Sequence, residues 1–332
     1  MKSRVVAWLL ASVALVGTSS VQAQATYSGL FIFGDSISDS GNNALALGVD
    51  PNQVISGNSY VPTFPYASGN YTDGLVWAQT FASSLGLSAT PSLAGGGNFA
   101  FGGAYTSFQD PATGGFPPSL TTQTSFFLDA THGVAPGDAL YVVAGGGQNA
   151  RQALAAIGGG ADPIATALQY AADYAADIGG IVDTLQAKGA HDIVVWNTPN
   201  VGLTPAVLAV GPGASFLGMS IAETMNSALA ARLFGEPGVQ TFDVFDLLST
   251  VVAHPGDFGL SNVSDACGAS VTCDPSQYLF WDGIHPTSAG HLIVADAMTH
   301  AVPEPSIYAT LLIGLVLLAG AARRKGFPVL KG

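Results

Sequence analysis

Positive charge is scarce in this chain. Nine Lys and Arg stand among 332 residues, and six of the nine fall in the first 23 residues or after residue 322, so Arg151, Lys188 and Arg232 alone serve the part between. Set against 21 of the 22 acids, those three leave residues 24–302 with a formal charge of −18. Such a surface repels polyphosphate backbones and anionic lipid headgroups and holds no arginine clamp, so nucleic-acid binding is excluded. Cysteine is almost as rare. Cys267 and Cys273 lie six apart with no close Cys or His partner, which does not make a zinc knuckle. The glycine-rich run 95–104 lacks a Gly-Lys-Ser or Gly-Lys-Thr ending and does not form a dinucleotide fingerprint, so phosphate cradling there is unsupported. Neither a repeat nor a Pro/Ser-rich linker interrupts residues 24–302, and one large domain is expected.

Long apolar runs occur only at the two ends. Residues 1–23 read as a secretory leader: Lys2 and Arg4, an apolar run over 5–16, then Val21-Gln22-Ala23 as a small-residue cleavage site. At the other end Val302-Pro303-Glu304-Pro305 precedes an apolar stretch over 307–322 and the basic Arg323, Arg324 and Lys325. That stretch is slightly short for a full span, yet the basic cluster behind it is what a cytoplasmic stop looks like. A transmembrane segment is therefore expected there, with a buried terminal helix as the alternative. In an exported chain Cys267 and Cys273 are expected to close a small disulfide loop just before residues 280–286. The C-terminal pattern resembles the PEP-CTERM sorting signal of Gram-negative bacteria. The resemblance implies processing by an exosortase-type membrane enzyme and delivery to the cell surface, outer envelope or extracellular matrix. The organisation expected is leader 1–23, one domain over 24–301 and a sorting segment over 302–332.

Within the domain, residues 30–33 are apolar at every position, as in a strand covered on both faces, and Gly34-Asp35-Ser36 ends the run. This places a serine hydroxyl at the carboxyl edge of a strand, where open α/β sheets keep their ligand crevices. Gly-Asp-Ser is also ordinary turn and cap composition, so the tripeptide by itself decides nothing. The glycine-rich run 95–104 brackets a short second strand whose backbone can approach a ligand. Residues 139–144, 192–196 and 239–244 give three more strands, the first of them ending just before Asn149. Apolar positions Ile164, Leu168, Ala171, Ala175, Ile178, Val182 and Leu185 mark a core-facing helix starting at Asp162-Pro163, and further helices are expected over 74–85, 215–234 and 288–300. Five strands alternating with helices predict a doubly wound α/β sandwich.

Tyr278-Leu-Phe-Trp-Asp-Gly-Ile-His-Pro-Thr287 stands just before the last helix. Asp282 and His285, three apart in a turn, are spaced for a carboxylate to hold one imidazole nitrogen and leave the other for a serine hydroxyl. A helix-entry histidine with a capping aspartate is the structural alternative.

Taken with Ser36, these blocks resemble the SGNH, or GDSL, hydrolase family. Four occur in order: Phe33-Gly-Asp-Ser-Ile-Ser-Asp39, Asn98-Phe-Ala-Phe-Gly-Gly-Ala104, Gly147-Gln-Asn149 and Asp282-Gly-Ile-His285. The resemblance implies a flavodoxin-like three-layer sandwich with a central five-stranded parallel sheet. It implies Ser36 as nucleophile, His285 as base and Asp282 as its orienter, with an oxyanion hole from the Ser36 and Gly102 backbone N–H groups and the Asn149 amide. It calls for no metal or organic cofactor. The reaction implied is hydrolysis of a carboxylic ester through an acyl-serine, on a small-molecule or lipid ester or an acylated polysaccharide. Acyl transfer through the same intermediate and a non-catalytic surface protein with a retained fold stand as alternatives, and the oligomeric state stays open. Ala150 departs from the family, which commonly carries aspartate after that asparagine. The irregular segment 48–73 and the loop 105–125 are expected to select the ester, while the aromatics Tyr60, Phe64, Tyr66 and Tyr71 of the first either line an acyl or sugar pocket or are ordinary loop packing.

Overall fold

The computed structural model describes residues 27–49, 58–59 and 66–302. The expected leader, Tyr60, Phe64 and the sorting segment from Pro303 onward lie outside the described residues. Strand β1 (Leu30–Gly34) is followed by helices α1 (Asn42–Leu47), α2 (Trp77–Ser84) and α3 (Leu120–Ala130). The middle of the chain forms β2 (Leu140–Ala144), α4 (Gly147–Gly158), α5 (Pro163–Ala187), β3 (Asp192–Trp196), α6 (Pro205–Leu208) and α7 (Pro212–Arg232). It closes with β4 (Val239–Phe242), α8 (Val244–Ala253), β5 (Asn262–Ala266), β6 (Tyr278–Phe280) and α9 (Ser288–Ala301).

Alternate side chains of a strand point to opposite faces, so an unbroken apolar strand needs cover on both. Phe33, Tyr141, Val143, Ile193 and Val195 enter one core with residues of α3, α4, α5 and α7. Their neighbours Ile32, Leu140, Val142, Val194 and Trp196 enter a second core with α2 and α9. The α/β sandwich follows directly from that division.

The main sheet is parallel with order β1-β2-β3-β4, and Leu30 stands opposite Leu140, Leu140 opposite Asp192 and Ile193 opposite Val239. Five strands are expected and four form. The missing one, residues 97–101, runs along the free edge of β1 with only three bonds. Ile32 N–H donates to Gly97 O at 3.0 Å, Phe99 N–H to Ile32 O at 2.7 Å and Phe101 N–H to Gly34 O at 3.2 Å. Glycines bound the run at 95–97 and 102–103, and the chain turns away at Gly103 with φ 82°. Counted with that run, the spatial order is 2-1-3-4-5, whose switch point lies between β1 and β2. A separate two-stranded parallel pair, β5-β6, and helix α8 have no counterpart in the sequence reading. Val244 looks like the tail of a strand, but the Asp243 carboxylate accepts the Asp246 N–H at 2.9 Å and starts a helix there.

Helix α5 begins as its sequence predicts, with Asp162 Oδ1 accepting the Ala165 N–H at 2.8 Å and Pro163 in the first position. Its apolar stripe is buried only from Ala171 onward, and Ile164 and Leu168 project past the core at 73% and 58% exposure. Among the described residues no helix is long and apolar enough to cross a membrane. This corrects the expectation of a transmembrane segment, and residues 307–322, on which that expectation rested, lie outside the described residues.

Candidate active site

At the end of β1 a Cβ on Gly34 would stand 2.7 Å from the Ala144 carbonyl oxygen, so glycine is needed for the two strands to lie this close. In the turn that follows, the Ser38 and Asp39 N–H groups both donate to the Asp35 carbonyl at 3.0 Å, and Ile37 N–H donates to Asp35 Oδ1 at 3.1 Å. That turn stands Ser36 on the carboxyl rim of the sheet, 8% exposed.

His285 reaches the same rim from the far end of the chain. Asp282 shapes its loop: Oδ1 accepts the N–H of Ile284 at 2.7 Å and of His285 at 2.6 Å, while Oδ2 lies 2.6 Å from His285 Nδ1. The other ring nitrogen, Nε2, stands 2.8 Å from Ser36 Oγ. A carboxylate can only accept, so Nδ1 carries the proton and Nε2 keeps a lone pair for the serine. Burial alone would raise the Asp282 carboxyl, but the charge of His285 and the bonds from its ring, its backbone and Ile284 together hold it below the usual carboxylate range.

Several contacts brace this loop. Trp281 N–H donates to His285 O at 2.8 Å, Gly283 N–H to Ser59 O at 2.9 Å and Gly268 N–H to Trp281 O at 2.7 Å. Gly268 adjoins Cys267, which is bonded to Cys273 with Cα atoms 5.5 Å apart. The expected disulfide loop is present and leans on the segment carrying Asp282. Tyr71 is 1% exposed, with its ring centroid 5.1 Å from that of His285, so it packs beside the imidazole and does not line a substrate pocket.

The oxyanion assignment needs one correction. Gly102 N–H donates to Asp39 Oδ2 at 3.0 Å, the same carboxylate that collects the N–H groups of Gly41, Asn42 and Asn43. A Cβ on Gly102 would lie 2.2 Å from the Tyr71 ring. Gly102 is therefore a packing corner whose N–H is committed. Gly103, next in the chain, lines the cleft with Ser36, and among the described residues its N–H has no acceptor. Burial pushes the Asp39 carboxyl up to about 6 in spite of its four backbone N–H donors, and pushes the buried Asp35 up to about 6 as well. Asn149 lies in the first turn of α4, 7% exposed.

Ser36 and His285 open on a largely aliphatic cleft. Trp196 closes it at the end of β3, with Leu247 and Val251 of α8, Leu279 of β6, and Ile293 and Val294 of α9 along its walls. Gln148 and Arg151 of α4 also line it. Residues 105–125, the last six of which belong to α3, supply none of the lining, which beyond the Ser36 turn comes from Gly103, the end of β2, the start of α4 and elements after residue 195.

Residues 30–298 match the model of the GDSL-like Lipase/Acylhydrolase family. The chain belongs to this family. A second match, to the PEP-CTERM protein-sorting motif, covers residues 301–325 and marks export to the envelope of a Gram-negative cell. Among relatives of this GDSL-family chain, Esterase EstA of Pseudomonas aeruginosa is 31% identical over 343 residues, covering 89% of this chain and 49% of that protein. An uncharacterized protein from the trpE-trpG intergenic region of Pseudomonas putida is 29% identical, covering 89% of this chain and 52% of its own length. A GDSL esterase/lipase of Arabidopsis thaliana is 27% identical, covering 81% of this chain and 88% of that protein. The chain spans about half the length of these Pseudomonas relatives.

Proposed function

We propose that this GDSL-family protein is an exported serine hydrolase that cleaves esters of medium or long acyl chains. The observation that carries the reading is the unbroken run Asp282 Oδ2, His285 Nδ1, His285 Nε2, Ser36 Oγ, at 2.6 and 2.8 Å, opening on an aliphatic cleft.

His285 Nε2 takes the proton of Ser36 as Oγ attacks the ester carbonyl. The carbonyl oxygen becomes an oxyanion, received by the N–H groups of Ser36 and Gly103 and by the Asn149 side-chain amide. Collapse breaks the bond to the leaving oxygen, which takes the proton back from His285 and departs as the alcohol. Water then gives a proton to His285 and its oxygen to the acyl carbon, and the acid leaves as Ser36 Oγ is reprotonated. Asp282 stays ionised throughout and balances the imidazolium that forms twice per turnover.

The cleft favours an acyl chain over an acetyl group, because a two-carbon acyl group leaves the walls of α8 and α9 in contact with water. The charge of −18 on residues 24–302 disfavours anionic phospholipids, so neutral glycerides are the natural substrates. The terminal motif supports processing by an exosortase-type enzyme.

The test is kcat/KM for p-nitrophenyl esters of increasing chain length. The value is expected to rise from acetate to octanoate, by up to about 4-fold per methylene, the equivalent of ~0.8 kcal/mol for each CH2 buried. In Val251→Trp, which fills the cleft, the optimum is expected to shift to shorter chains. A two-carbon optimum in the unaltered protein would contradict the acyl-chain reading.

A further inference from the structure

Ala150 follows Asn149 and is fully buried, so it offers the asparagine no hydrogen bond of the kind a carboxylate would give. Something else must hold the amide. Both ends of it meet one residue, Thr106, which lies 43 positions earlier and is fully buried. Thr106 N–H donates to Asn149 Oδ1 at 3.3 Å, and Asn149 Nδ2 donates to Thr106 Oγ1 at 3.0 Å. The Thr106 hydroxyl in turn donates to Asp177 Oδ2 at 2.5 Å, from the middle of α5.

We infer that Thr106 and Asp177 are positioning residues that aim the Asn149 amide at the oxyanion. The inference rests on the hydrolase reading above and adds to it the residues that orient one of its three donors. Chemistry fixes the direction of each bond. A carboxylate has no proton to give, so the Thr106 hydroxyl must donate to Asp177 and turn its lone pairs toward Asn149. A backbone N–H cannot accept, so the atom facing it must be the amide oxygen. The amide flip is therefore determined, and one Nδ2 proton is used on Thr106. Among the described residues the second Nδ2 proton has no acceptor, and it is the one assigned to the substrate oxygen.

Thr106 is itself anchored. Its carbonyl accepts from the Thr121 N–H at 3.0 Å and from the Thr121 hydroxyl at 2.9 Å, both at the start of α3. The path from α5 through Thr106 to Asn149 thus joins elements on one face of the sheet to the oxyanion donor. A donor already aimed needs no reorganisation when charge develops, which is where such groups gain most.

The test uses the full chain and p-nitrophenyl octanoate. Thr106→Val keeps the shape and removes the hydroxyl, and it is expected to lower kcat by roughly 10- to 100-fold with KM within about 2-fold. Thr106→Ser restores the hydroxyl and is expected to recover most of the lost kcat. Asp177→Ala, at a half-buried site where folding is less exposed to damage, is expected to lower kcat in the same manner by a smaller factor. The decisive comparison is made in an Asn149→Ala background, where Thr106→Val is expected to cost less than about 2-fold more, because its only route to the reaction has gone.

If Thr106→Val folds poorly, Asp177→Ala alone and in the Asn149→Ala background gives the same comparison. An unchanged kcat in both single variants, or an equal loss with and without Asn149, would overturn the relay. A wild-type chain as inert as Ser36→Ala would instead overturn the hydrolase reading, and the relay with it.

Discussion

Ser36→Ala is expected to lower kcat on an octanoyl ester by about 10⁵-fold or more while leaving the protein folded. Ser36 Oγ is the atom that would form the bond to carbon, and nothing else in the cleft replaces it. Alanine removes one oxygen from a side chain already 8% exposed and keeps the backbone N–H that faces the oxyanion. The turn that holds the residue is built from Asp35, whose carbonyl and carboxylate accept the N–H groups of Ser38, Asp39 and Ile37, and alanine leaves those bonds intact. The melting temperature is therefore expected to change little. Steady-state kinetics beside a thermal melt checks both halves. Activity within about 10-fold of wild type would remove Ser36 from the reaction.

Asp282→Asn should be nearly as costly, at roughly 10⁴-fold in kcat, by the reasoning that applies to any carboxylate behind a catalytic histidine. The asparagine oxygen can keep the two backbone bonds to Ile284 and His285, which places the amide NH2 group against Nδ1. An N–H donor there selects the imidazole tautomer with the proton on Nε2. That nitrogen then has no lone pair for Ser36, so the base is present in the correct place and the wrong form.

The carboxyl group also matters for folding. Its affinity for protons is lower in the folded state than in the unfolded chain, so the folded state binds fewer protons there as pH falls toward 4. The stability it contributes is complete above the unfolded value and is lost progressively as acid carries the pH down through the folded one. Asp282→Asn should accordingly flatten that acid limb in urea titrations taken at several pH values. An activity loss below about 10-fold would mean that His285 needs no partner.

The parts of this fold legible in the sequence are those where a local pattern has one physical meaning. Residues 140–144 are apolar without interruption, and the strand there is buried on both faces. Asp162-Pro163 opens α5 as its side chains suggest, and α9 spans Ser288–Ala301 where a last helix over 288–300 is expected. The candidate triad was legible because Asp282 and His285 sit three apart in one turn and Ser36 closes a strand.

Features that depend on distant partners could not be read in this way. Gly102 and Gly103 are indistinguishable by composition, and only the Asp39 carboxylate, 63 residues away, shows which N–H is committed. Thr106 and Asp177 carry no signal of their own, since the bonds between them and Asn149 span 71 and 43 positions. Whether Tyr71 lines a pocket or packs within its irregular segment has no answer in the local sequence, because its packing against His285 and Gly102 exists only once the two ends of the chain meet. Helix α8, which supplies one wall of the cleft, was hidden by an apolar run that begins like the end of a strand.

The claim on which all of this turns is that the Ser36 hydroxyl and the His285 imidazole share a proton. Fluorophosphonate labelling measures it directly, because the probe reacts only with a serine that a neighbouring base has activated. The expected result is one label per chain, located on Ser36 by peptide mass, and forming at least about 100-fold more slowly in His285→Ala. A label on another residue, or a His285→Ala chain labelled as fast as wild type, would contradict it.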